Sequence, residues 1–143
     1  MNHRNAEILL VEDDPLDIEL TKEVISAYKM ANNIHVVTNG EDALSFLYKK
    51  GKYKTAPTPD IVFLDLNLPK IDGREILIDI KHNEKLKRIP IVILTSSELK
   101  DDIKLAYDNY ANCYVTKPLD IEQLASIVKT LNNFWLSLVV APN

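Results

Sequence analysis

Four short apolar runs end in side chains that suit one reaction. Residues 8–11 lead into Glu12, Asp13 and Asp14, and residues 61–64 into Asp65; residues 91–94 lead into Thr95, and residues 113–116 into Lys117 and Pro118. A carboxylate can attack a phosphoryl group and hold it as an acyl phosphate, so Asp65 is the candidate nucleophile. Phosphoryl transfer asks a protein mainly for positioning and charge neutralisation. Glu12 and Asp13 beside Asp65 would repel one another unless a proton or a divalent cation intervened. An all-oxygen set favours Mg²⁺, which keeps several waters and needs only one or two direct carboxylates. Asn67, two residues past Asp65, could add a backbone carbonyl to the same metal shell. Lys117 offers a compact positive charge for a phosphoryl oxygen. Thr95 offers a hydroxyl donor, and small Ser96 leaves room for a phosphoryl donor to approach. His3, His35 and His82 lie outside all four run ends, so the clamp is electrostatic, with no evident general base.

Each piece alone has a plainer reading. An acidic cluster after a strand is usually a solvated turn or a helix cap, and Asp14 before Pro15 reads as an N-cap outside the site. A single Thr at a strand end, or a single Lys-Pro pair, is more often structural than functional. Four strand ends with complementary chemistry, in order, carry the functional reading.

The elements must bring those ends to one edge. Each run is too short for a helix and rich enough in β-branched residues for a buried strand, and residues 34–37 add another. Between the strands come helical patterns: residues 15–30 with Leu16, Leu20, Val24, Ile25 and Tyr28; 41–50 with Ala43, Leu44, Leu47 and Tyr48; 74–82 with Ile76, Leu77 and Ile80; and 98–109 with Ile103, Leu105, Ala106 and Tyr107. Residues 49–59, with four lysines, a glycine and two prolines, read as a solvated loop. Alternating strands and helices imply βαβ units and a parallel sheet. The expected fold is α/β, a doubly wound (βα)₅ domain whose ligands sit outside the carboxyl ends of its five parallel strands.

Bulk properties narrow the class. At 143 residues the chain suits one domain, and 46% hydrophobic residues exclude disorder. A net charge of −4 supplies no field for nucleic acid or an acidic membrane. The lone Cys113 excludes an internal disulfide and fits a reducing compartment. No signal sequence or membrane span is read, so the expected location is cytoplasmic. A domain over residues 1–131 leaves residues 132–143 as an extension too short for an output module.

The motifs VEDD at 11–14, LDLNLPKIDG at 64–73, ILTSS at 93–97 and YVTKP at 114–118 resemble the receiver domain of two-component response regulators, over residues 6–131. The resemblance implies a flavodoxin-like fold and a Mg²⁺-dependent phosphoryl transfer from a histidine kinase to Asp65. It implies Glu12, Asp13, Asp65 and Asn67 as the metal-binding residues, with Thr95 and Lys117 assisting the transfer. It implies Thr95 and Tyr114 as switch residues and a cis bond before Pro118. The domain would assist its own phosphorylation and dephosphorylation without being an enzyme in the ordinary sense. Tyr110 departs from the pattern, standing where many receivers have glycine, so the turn before the fifth strand is expected to differ.

The segments LDLNLPKIDGRE, LKRIPIVILT, NCYVTKP and NNFWLSLVVAPN also look like the stand-alone regulators that partner bacterial phytochrome kinases, in which an FWL extension helps build a homodimer. Here Ile121, Leu124, Val128, Leu131, Trp135 and Leu138 form one helical stripe running past the usual domain end, and a helix over 120–137 would be roughly 27 Å long. An apolar overhang of that kind usually marks an interface, so Phe134, Trp135 and Leu138 are the candidate dimer contacts. Two rivals compete. An Asp-nucleophile phosphatase wants a second acid near its nucleophile, and position 67 is Asn. A phosphorylation-independent binding module on a receiver scaffold would usually have lost a key residue, and none is lost. No GxxxxGK[ST] or GxGxxG exists to support a nucleotide site. Ser97, two residues past Thr95, is not an evident base for water, so no exceptionally fast self-dephosphorylation is expected.

Overall fold

The computed structural model describes residues 5–27 and 32–140, the last seven as backbone only. Five strands alternate with five helices: β1 (Ala6–Val11), α1 (Pro15–Ala27), β2 (Asn32–Val37), α2 (Gly40–Leu47), β3 (Ile61–Leu64), α3 (Gly73–Lys81), β4 (Ile91–Thr95), α4 (Lys100–Asp108), β5 (Cys113–Thr116) and α5 (Ile121–Val140). The strands form one parallel sheet in the order β2-β1-β3-β4-β5. The order reverses at β1, whose two neighbours lead away in opposite directions, and there the carboxyl ends open a crevice. The expected α/β, doubly wound, flavodoxin-like fold is the one observed.

Side-chain alternation explains why both sheet faces are covered. Ile8, Leu10, Ile61, Phe63, Val92 and Leu94 point to the face packed by Val24 and Ile25 of α1 and by Leu124, Val128 and Leu131 of α5. Leu9, Val11, Val62, Leu64, Ile91 and Ile93 point to the opposite face, closed by α2, α3 and Ala106 of α4. Strands β3 and β4 are buried along their whole length and β1 everywhere but Glu7, which continuous apolar runs permit and a half-exposed strand would not. Among the described residues no helix is long and apolar enough to cross a membrane.

Several sequence readings shift. Leu16, Ile121 and Tyr107 were placed on apolar faces, yet are 81%, 59% and 52% exposed. Leu16 and Ile121 occupy the first turns of their helices, ahead of the part that packs on the sheet. Phe46 does the core work in α2 that spacing gave to Tyr48, stacking obliquely between His35 and Tyr53. The loop after α2 contains a short 3₁₀ turn, Gly51–Tyr53. Tyr110 keeps a left-handed backbone, φ +61°, so that turn holds the glycine-like geometry despite its side chain. Helix α5 extends to Val140 without a break. Tyr28 and the side chains of Phe134, Trp135 and Leu138 lie outside the described residues.

Candidate functional site

Strand pairing delivers the acids to each other. The Asp65 amide donates to the Val11 carbonyl at 3.0 Å, and the Glu12 amide to Val37 at 3.0 Å, so the chain beyond β3 stays in register with the chain beyond β1. Carboxylate oxygens of Glu12, Asp13 and Asp65 thereby lie within 4.8 Å of one another. Glu12 and Asp65 are buried, and Asp13 faces solvent at the crevice mouth. Asp14 leaves the cluster and caps α1, accepting from the Leu16 amide at 2.9 Å, as its place before Pro15 suggested.

Lys117 closes the cluster from β5. Its Nζ lies 2.5 Å from Glu12 Oε1 and 3.0 Å from both Asp65 Oδ2 and Asp17 Oδ2. The Lys117 amide donates to the Thr95 carbonyl at 2.8 Å, tying the ammonium's position to the end of β4. The Lys117–Pro118 bond is cis. Asp65 Oδ1 accepts from the Asn67 amide at 2.9 Å, and Asn67 Nδ2 reaches Thr95 Oγ1 at 3.3 Å. The Tyr114 hydroxyl donates to the Ser97 carbonyl at 2.9 Å.

Charge does not balance here. Burial first, and then the neighbouring Asp65 charge, push the Glu12 carboxyl up to about 7, against the bonds from Lys117 and the Asp14 amide. Burial alone would lower the Lys117 ammonium, but its bonds to Glu12, Asp17 and Asp65 outweigh that and raise it. The two shifts look opposed for an ion pair, in which the acid should fall. They agree once the whole cluster is considered: one ammonium serves several carboxylates, and the most buried of them takes up a proton more readily for want of a second cation. Hard oxygen donors with surplus negative charge fit a divalent metal. Glu12, Asp13 and Asp65 would supply its carboxylates.

The site is thus an acyl-phosphate candidate between an ammonium and an acid pair at a sheet switch point. The response regulator receiver domain profile matches residues 8–129. This chain belongs to the response regulator receiver family. It is 42% identical to the response regulator Rcp1 of Synechocystis sp. over 94% of this chain and 92% of that protein. Its fold superposes on the phosphorylated cyanobacterial phytochrome response regulator RcpA with a TM-score of 0.83 and 43% identity, covering 98% of this chain and 100% of that one. The Mn²⁺-bound form of Rcp1 gives a TM-score of 0.82 and 41% identity, covering 96% of this chain and 99% of that one. The chain is thus a receiver-type response regulator, and receivers of this kind bind a divalent metal.

The structure brings Glu12, Asp13, Asp65, Asn67, Thr95 and Lys117 together, and places the Tyr114 hydroxyl against the Ser97 carbonyl. Sequence reasoning missed Asp17, whose acid in a first helical turn is equally explained by the helix dipole. It also missed Arg74 and Asp102. Arg74 lies within the LDLNLPKIDGRE segment, and nothing in its spacing to Asp102, an acid at a helix start, signals a pair.

Proposed function

We propose that Asp65 accepts a phosphoryl group from a sensor histidine kinase in a Mg²⁺-dependent step. The observation that carries this reading is the setting of Asp65 itself. It is 5% exposed, with one oxygen on Lys117 and the other on the Asn67 amide, beside the carboxylates of Glu12 and Asp13. In the transfer, an Asp65 carboxylate oxygen forms the new O–P bond while the donor's N–P bond breaks, its electron pair leaving with the imidazole nitrogen. Lys117 Nζ, already at 3.0 Å from Asp65, holds one phosphoryl oxygen, and the Thr95 hydroxyl turns to donate to another. Mg²⁺, when bound, neutralises charge that builds on the phosphoryl oxygens. Asn67 would contribute its backbone carbonyl to that metal.

The added charge then biases a two-state equilibrium, with Thr95 and Tyr114 as the moving parts. The chain acts as a phosphoacceptor and not as a turnover enzyme. The Ser97 hydroxyl donates to Asp102 at 2.5 Å, and no exceptionally fast self-dephosphorylation belongs to this reading. Likeness to RcpA, a cyanobacterial phytochrome response regulator, supports a phytochrome-like kinase as donor; the apolar stripe running into residues 132–143 supports a homodimer built there, and a cytoplasmic location belongs to the same reading. Neither nucleic acid nor membrane is among its partners. Intact mass after acetyl phosphate and Mg²⁺ tests the central claim. Wild type should gain one phosphoryl group that Asp65→Asn and a metal-free control lack. An equal adduct on Asp65→Asn would overturn Asp65 as acceptor.

A further inference from the structure

A second polar network converges on the start of α4. Arg74, in the first turn of α3, meets Asp102 as a fork: Nε donates to Oδ1 at 2.7 Å and Nη2 to Oδ2 at 2.6 Å. Asp102 is only 7% exposed although it sits in a first helical turn, where acids are usually solvated. Arg74 Nη1 donates to both Asp72 oxygens, at 3.1 and 3.0 Å, and Nη2 reaches Asn67 Oδ1 at 3.4 Å. One guanidinium therefore links Asn67, in the loop after β3, to the cap of α3 and to α4.

Ser97 joins this network to the switch residues. Its hydroxyl donates to Asp102 Oδ2 at 2.5 Å, its carbonyl accepts from the Tyr114 hydroxyl at 2.9 Å, and its amide points to Thr95 Oγ1 at 3.5 Å. Thr95 Oγ1 accepts from Asn67 Nδ2 and from that amide, so any shift of the hydroxyl toward a phosphoryl oxygen strains both bonds. The residue two places on is meanwhile clamped to a forked ion pair whose acid is buried and whose guanidinium is half-buried. Parting a two-pronged pair of this kind gives up two charge-assisted hydrogen bonds.

We propose that Arg74 and Asp102 are positioning residues that, through Ser97, tether segment 95–97 and the start of α4 in the unphosphorylated arrangement. This rests on the reading of Asp65 as phosphoacceptor, and it assigns the regulation of that site to residues that never touch the phosphoryl group. Transfer to Asp65 proceeds against the tether, so loosening it speeds transfer.

The test uses the full chain carrying Asp102→Asn, Ser97→Ala or both, with two readouts. Amide hydrogen exchange of unphosphorylated protein should show residues 96–108 opening about fivefold more often, with β1 and β3 unchanged. The initial rate of acetyl phosphate labelling should rise about fivefold in each single variant. The double variant should be no faster than the quicker single one, because both cut the same link. Ser97→Thr, which keeps the hydroxyl, should restore the wild-type rate, an outcome that simple bracing of α4 would not require. Unchanged exchange at 96–108 overturns the tether. So does raised exchange with an unchanged labelling rate, which makes the pair a structural brace. If wild type takes no label that Asp65→Asn lacks, the acceptor reading fails instead, and the exchange measurement still decides whether the tether exists.

Discussion

Glu12 is the residue whose state reports most directly on the site. Folding raises its carboxyl from an ordinary 4.5 to about 7, so the folded chain holds that proton more tightly than the unfolded chain. The stabilising contribution is complete below 4.5 and is lost as pH rises through 7. A divalent cation takes over the proton's role, and it competes least with protons at high pH. Mg²⁺ should therefore raise the melting temperature more at pH 8 than at pH 6, and Glu12→Gln should flatten the difference. Equal increments in wild type at both pH values would contradict the charge argument. In the same experiment Asp13→Asn, which removes one surplus charge, should stabilise metal-free protein by about 1 kcal/mol while weakening the Mg²⁺ increment. These acids were legible because each ends an apolar run. Arg74 and Asp102 were not, because a cation and an acid 28 positions apart reveal their pairing only when two helix starts meet.

At the scale of elements, the crevice depends on how tightly α3 begins. A Cβ on Gly73 would stand 2.2 Å from the Asp65 carbonyl oxygen and 2.6 Å from the Leu66 Cα, both backbone atoms that cannot swing aside. The Gly73 amide in turn donates to the Leu66 carbonyl at 2.9 Å. Gly73→Ala should cost roughly 1–3 kcal/mol in urea unfolding, the range for overpacking, and, on the reading of Asp65 as acceptor, should also slow its labelling, because the displaced backbone carries that residue. Loss of stability with an unchanged labelling rate would show that the strain is absorbed on the helix side. Tyr110 is the reverse case. It occupies a left-handed position with its side chain 79% exposed. Tyr110→Gly should gain about 1 kcal/mol by removing that strain, read as a higher urea midpoint at unchanged slope. The strand cores were legible from their β-branched runs. Helix starts were less so: period alone put Leu16 and Ile121 on buried faces, and only the position of each first turn relative to the sheet edge exposes them.

For the whole molecule, strand alternation with helices was enough to read a parallel doubly wound sheet, because parallel strands require crossovers and crossovers cover both faces. The strand order, which creates the crevice between β1 and its neighbours, is not written in any local pattern. The continuous α5 extends the expected 120–137 helix to Val140. On the reading that residues 132–143 dimerise the chain, sedimentation equilibrium should give a dimer for wild type and a monomer for Trp135→Ala with Leu138→Ala, with Asp65 still labelled in both. A monomeric wild type would remove the interface.

The sheet's order also sets a sequence of arrivals during synthesis. A chain grows from its N terminus, and domains begin to organise as they emerge. Strands β1, β2 and β3 are adjacent in the sheet and complete by residue 64. Glu12, Asp13 and Asp65 can therefore meet while Lys117, at the end of the last strand, has yet to be made. Any arrangement in which those three acids meet before β5 docks lacks the Lys117 ammonium, so its repulsion is relieved only by protons or dissolved cations. On the reading of the cluster as a metal centre, a divalent cation would then favour assembly of the pocket as well as its chemistry.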